Sequence, residues 1–178
     1  MVPGIQHILC PIDFSDTSIN AFRYALGLAE TMGAKVQLLH VVIPEVEALD
    51  LPVVAAEATR TRIETARTMM ETLVEEEAQA FRKEGREAPV VEMTIEVGAP
   101  GGTILDVARR DGASLVLMGT RREHNLLDRL FGSVTQHVVE RSERPVWVVP
   151  HDAAFAPLRD VAFAAQLTEA DPWYIYQT

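Results

Sequence analysis

The residues of this chain best placed to do chemistry fall in two groups far apart in sequence. The first is Asp13, which follows the apolar run 5–12 and precedes Ser15 and Asp16. The second runs from Gly119-Thr120-Arg121-Arg122 to Phe131-Gly132-Ser133-Val134. There the apolar run Leu115-Val116-Leu117-Met118 stops at Gly119, an arginine-bearing loop follows, and Gly132-Ser133 opens an amphipathic run ending near Arg141. A strand ending on a small residue and a helix starting on one leave backbone N–H groups and the positive end of a helix dipole facing a common gap, which favours an anion. Taken singly, each feature has a plainer reading. Asp13 serves equally well as a helix cap, Gly119 as a turn, and Gly132-Ser133 as a helix start. Only their meeting at one crevice makes a site.

The intervening elements decide whether they meet. Residues 5–12 read as a buried strand. Phe22, Ala25, Leu26, Ala29 and Met32 then recur at helical spacing, with Ser15 or Asp16 as N-cap and Gly33 as the stop. Residues 35–43 form a second strand closed by Pro44; both strands are apolar on both faces, as central strands of a parallel sheet are. After an irregular stretch, residues 57–84 predict a long helix with Ile63, Ala66, Met70, Leu73 and Phe81 inward, Glu75-Glu76-Glu77 on a solvated face, and Gly85 at the end. Val91, Met93, Ile95 and Val97 alternate with polar residues, which predicts an edge strand with one wet face. Gly98-Ala99-Pro100-Gly101-Gly102 turns into a helix with Ile104, Leu105 and Ala108 inward, ended by Gly112. A strand over 114–118, a helix from 134 to about 143, and a strand over 145–149 ended by Pro150 complete the pattern.

Five strands alternating with four helices predict an α/β fold: a five-stranded parallel sheet with helices on both faces and right-handed crossovers. With the wet third strand at one edge and the fifth at the other, the order is 3-2-1-4-5. Ligands of such sheets bind at the carboxyl ends of the strands where the order reverses, here between strands one and four. Topology alone therefore brings Asp13 against the Gly119 loop.

Composition narrows the classes. The chain has 178 residues, 48% hydrophobic and 24% charged, enough for one buried domain (1–150) with an appendage (151–178). A net charge of −10 disfavours general nucleic-acid binding, so any anion must be held by local groups. Cys10 stands alone, which excludes an internal disulfide framework and suits inert packing. The histidines (His7, His40, His124, His137, His151) show no paired spacing for a metal. No signal peptide and no apolar run of about 18 residues is visible, so a cytoplasmic protein without a membrane partner is expected. No Ser-His-Asp set, G-x-S-x-G elbow, Walker lysine loop or G-x-G-x-x-G after strand one is present, which argues against those enzyme classes. A phospho-accepting receiver is disfavoured too, because strand three ends in Val97-Gly98 without an aspartate and no lysine follows strand five. In the appendage, Leu158, Val161, Ala162 and Ala165 have helical spacing and Trp173, Tyr174, Ile175 and Tyr176 close the chain; an arm packed on its own domain or a partner, or a loose tail, are the alternatives. Trp147 on the last strand is core or interface.

Over residues 4–150 the chain resembles the universal stress protein family. That family's nucleotide signature is Gly, two residues, Gly, nine residues, Gly, then Ser or Thr. Gly119, Gly132 and Ser133 fill the first, third and last positions, whereas Arg122 stands at the second. Pro11-Ile12-Asp13 with Ser15 beyond it, His40-Val41-Val42, and Arg144-Pro145-Val146-Trp147-Val148-Val149-Pro150 also match. The resemblance implies a Rossmann-like domain of the adenine-nucleotide-binding type that dimerises through its last strand, around Trp147, and in one branch of the family binds ATP, with Mg2+ as an accompanying ion. Positions matching Pro11, Asp13 and Val41 line the base and ribose side in ATP-binding members; those matching Met118, Gly119, Gly132, Ser133 and Val134 surround ribose and phosphates. The chemistry agrees: Asp13 can accept from ribose hydroxyls, the Val41 main chain can pair with adenine, and Ser133 with the helix N-terminus can hold phosphate. Arginine at 122 restricts backbone approach, yet it is also a good phosphate partner. Two functions follow: an ATP-binding stress or regulatory protein, with at most slow hydrolysis or self-phosphorylation at Ser133, or a nucleotide-free interaction module whose pocket Arg122 closes.

Overall fold

The computed structural model describes residues 4–44, 52–120 and 132–157. Within them the chain folds as β1 (His7–Ile12), α1 (Asp16–Met32), β2 (Lys35–Val42), α2 (Pro52–Lys83), β3 (Val91–Val97), α3 (Pro100–Arg110), β4 (Leu115–Thr120), α4 (Ser133–Arg141) and β5 (Val146–Pro150). The sheet order is β3-β2-β1-β4-β5, as expected, and every pairing is parallel.

Strand alternation sends successive side chains to opposite faces, and each face has its own core. Ile8, Cys10, Leu38 and Leu117 join Phe22, Ala25 and Leu26 of α1 and Met70 and Leu73 of α2 on one side. Leu9, Leu39, Val116 and Met118 join Ile104, Val107 and Ala108 of α3 and Val138 of α4 on the other. The caps of α1 are the expected ones: Ser15 Oγ accepts from Ser18 N–H, and Gly33 adopts φ 66° to end the helix. That left-handed conformation is why glycine stands there.

Four expectations need correction. The helix α2 begins at Pro52 rather than residue 57, consistent with the tolerance for proline in a first turn. β4 continues through Gly119 to Thr120, and β5 includes Pro150, because Gly119↔Val149 and Thr120↔Pro150 extend the ladder. Glu77 is not on a solvated face. It is buried, and its Oε1 accepts from Arg23 Nε at 2.7 Å, tying α2 to α1. Finally, β3 is the edge strand, but its alternation does not split into one dry and one wet face. Met93 and Val97 are exposed, whereas Thr94 and Glu96 are half-buried, held by Gln37 and Arg110. An edge strand has helix cover over only part of its length, so partners rather than polarity decide which side chains leave water.

After β5 the chain folds back on α1. Asn20 Nδ2 donates to the carbonyls of Pro150 (3.2 Å) and Ala153 (2.9 Å), and the Phe155 ring lies over Gly27, edge-on to Tyr24. Trp147 packs half-buried on the same core beside Tyr24. The expected helix and aromatic end of the arm lie outside the described residues.

Candidate functional site

A cleft of about 830 Å³ opens at the carboxyl ends of the strands, within the range of small-ligand sites. Asp13 of the β1–α1 turn, Gly119 of β4, and Gly132 and Ser133 at the start of α4 all line it. So do Pro11, Val41, Met118 and Val134. Arg122 lies outside the described residues, as do Arg121, His124 and Arg129.

A compact turn holds Asp13. Its Oδ1 accepts from Ser15 N–H (3.1 Å) and Ser15 Oγ (2.5 Å), and its own N–H donates to Ser18 Oγ (3.3 Å). Helix capping thus belongs to Ser15, and the Asp13 carboxylate is braced from behind. The next residue, Phe14, has φ 61°, an uncommon conformation for a side chain of its size, and its ring sits 4.8 Å from that of His40. His40 Nδ1–H donates to the Ile12 carbonyl at 2.8 Å, which leaves Nε2 as the ring's lone-pair side in neutral imidazole. These contacts lock the end of β1 to the end of β2.

The two signature glycines have different surroundings. A methyl group on Gly119 would lie 2.5 Å from the Thr17 carbonyl oxygen, so glycine is required there by the approach of α1 to β4. Gly132 has an ordinary φ of −62° and open space around its Cα. It is the N-cap of α4 and supplies no side-chain cap, so the first N–H groups of that helix are not capped from within the helix. Thr135 Oγ donates to the Gly119 carbonyl at 3.3 Å, fixing α4 against β4. Gly101, where a methyl group would lie 2.7 Å from the His137 ring, lets α3 close on α4, and Pro100 and Ile104 complete that wall.

The cleft also has a side that the motif residues do not predict. Thr61, Arg62, Thr65 and Met69 of α2 line it. The apolar pattern of that helix marks only its sheet-facing stripe, yet Thr61, Thr65 and Met69 recur every four residues and form a second stripe beside it. That spacing was the available signal. Among the described residues no group of three His, Cys, Asp or Glu side chains is placed to hold a metal ion.

Sheet, crossovers and cleft define a doubly wound α/β protein whose cleft opens at the reversal of strand order, the place where such sheets hold ligands. The model of the universal stress protein family matches residues 4–150, and the chain belongs to that family. Universal stress protein MJ0531 of Methanocaldococcus jannaschii is 31% identical over 149 residues, 81% of each chain. The structure of UspA from Lactobacillus plantarum matches with a TM-score of 0.67 at 26% identity, covering 82% of this chain and 98% of that one. A universal stress protein solved in complex with cAMP shares the fold, with a TM-score of 0.55 at 22% identity over 84% of this chain and 99% of the other.

Proposed function

We propose that this chain binds ATP or a related adenine nucleotide in the cleft and serves as a regulatory or stress protein rather than a catalyst. The observation that carries the reading is the convergence of a braced carboxylate, Asp13, with the N-terminus of α4, whose N-cap Gly132 has no side chain to cap it, across one cleft. The group fits. Asp13 accepts from ribose hydroxyls, the Val41 main chain pairs with the base edge, and Ser133 with the α4 N–H groups takes phosphate, which would arrive with Mg2+ as counter-ion. The domain spans 1–150, with 151–178 as an arm, and two copies pair through β5, whose outer edge no strand covers among the described residues. The chain works in the cytoplasm; no helix among the described residues is long and apolar enough to cross a membrane.

Equilibrium binding of labelled ATP to protein stripped of nucleotide tests the reading. Saturable binding is expected, weakened at least tenfold by Asp13→Ala and by Ser133→Ala; no uptake at millimolar ATP removes it. A second reading is favoured by arginine at position 122, where the family signature has glycine: a nucleotide-free interaction module. Arg122→Gly separates the two. Binding that appears only in this variant identifies an intact pocket closed by one side chain.

A further inference from the structure

Motif residues account for only one side of the cleft. Leu39 packs, and Val41 leans, on the α3/α4 face, with Ile104, Met118 and Val134. His40 and Val42 are out of phase with them by one residue and point to the opposite face. There the cleft continues between the start of α1 and α2, bounded by Phe14, His40, Ile43, Thr61, Thr65 and Met69.

The chemistry of this lobe is distinctive. Thr61 Oγ–H donates to the Glu57 carbonyl (3.1 Å), Thr65 Oγ–H to the Thr61 carbonyl (2.9 Å), and His40 Nδ1–H to the Ile12 carbonyl. The two threonine hydroxyls have committed their protons and present lone pairs, and Nδ1 of His40 is likewise engaged. Around them stand the Phe14 ring and two large apolar side chains, Ile43 and Met69, that are 59% and 43% exposed. Arg62 Nη1 donates to the Ile43 carbonyl at 3.3 Å and ties α2 to the end of β2 along the rim. Apolar walls with acceptors suit a planar aromatic group, one able to carry an N–H or O–H donor.

We infer that this α2-side lobe is a second subsite for an aromatic group lying beyond the base, so that the cleft takes adenine nucleotides enlarged at the N6 amino edge. The inference rests on the nucleotide reading, because the lobe adjoins Val41, where the base pairs. An apolar substituent at N6 passes the end of β2 and enters the space that Ile43 and Met69 otherwise expose to water.

Calorimetric titration of the full chain, stripped of nucleotide, with ATP and with N6-benzyl-ATP tests it. The benzyl compound should bind roughly threefold to twelvefold tighter, the gain expected from half-burying a phenyl ring. Met69→Trp fills the lobe from α2 and should bring the ratio to about one, whereas Met32→Trp, at the exposed end of α1, should leave the preference in place. Equal or weaker binding of N6-benzyl-ATP overturns the inference while ATP binding keeps the nucleotide reading standing. A preference that survives Met69→Trp also overturns it, since the benzyl group then lies elsewhere. If neither compound binds, both readings fall.

Discussion

Gly119 and Gly132 are equivalent letters in a signature and different objects in the fold. Gly119 has the Thr17 main chain where a methyl group would go, so Gly119→Ala forces α1 and β4 apart. It should cost about 1–3 kcal/mol, read as a fall in Tm with or without nucleotide. Gly132→Ala meets open space and gives up only the advantage of glycine over alanine as an N-cap, so its cost should be no more than about 1 kcal/mol. If the first turn of α4 receives phosphate, that second variant should still weaken ATP binding, which separates folding from recognition. Cys10 gives a third residue-scale expectation. Burial pushes its thiol up to about 12, so the neutral form is held in the folded state. That contribution is complete below the unfolded value near 9 and is lost as pH rises through 12. At pH 8, therefore, iodoacetamide should label Cys10 only after denaturant unfolds the chain; labelling of the native protein would contradict its burial. At this scale the sequence was legible in the Ser15 cap of α1 and in the place of Asp13 on the cleft wall. It was not legible for Phe14, since nothing in an Asp-Phe-Ser triplet announces a positive φ.

Apolar patterning located the nine elements of the described residues, because each strand or helix has a face that must leave water. Their ends were less readable. The extra residues of β4 and β5 are held by a ladder between strands that are distant in sequence, and α2 starts at a proline, a residue type that suits a helix start or a loop equally. Glu77 was misread for the same kind of reason: its partner, Arg23, comes from another helix. The arm shows such a long-range contact most clearly. Phe155 lies so close to Gly27 that an added methyl group would fall 2.3 Å from its ring. Phe155→Ala should lower stability by about 1–2 kcal/mol, the half-buried ring giving less than a core phenylalanine. Gly27→Ala should cost a similar amount by expelling the ring. Because both remove one contact, the double variant should be little worse than either alone; full additivity in a denaturant-melt cycle would mean the ring does not pack there.

At the scale of the molecule, the polar groups on the α3 side of the sheet are of two kinds. The carboxyl ends bear the cleft. Between α3 and the strands β2 and β3, a polar cluster runs from Gln37, near the amino end of β2, to Glu96, near the carboxyl end of β3, in space that apolar side chains occupy elsewhere. Gln37 Nε2 donates to Thr94 Oγ (3.0 Å) and Asp111 Oδ2 (2.8 Å), and Arg110 bridges Asp111 and Glu96. The Arg110 hydrogen bond, with that of Gln37, holds the Asp111 carboxyl below the usual carboxylate range; on the other face Arg86 does the same to Glu30. A carboxyl depressed in the folded state binds its proton more readily once unfolded. Its stabilisation is therefore present above the unfolded value near 4 and is lost as pH falls through the lower folded value. Asp111→Asn should lower Tm at neutral pH and flatten the fall of Tm with pH below about 4. An unchanged acid limb would show that the cluster is too well solvated to matter. Because Asp111 lies at the end of the sheet away from the cleft, the same variant should leave ATP affinity at pH 7 where it was. Stability and recognition would then respond to separate groups, because Asp111 does not line the cleft.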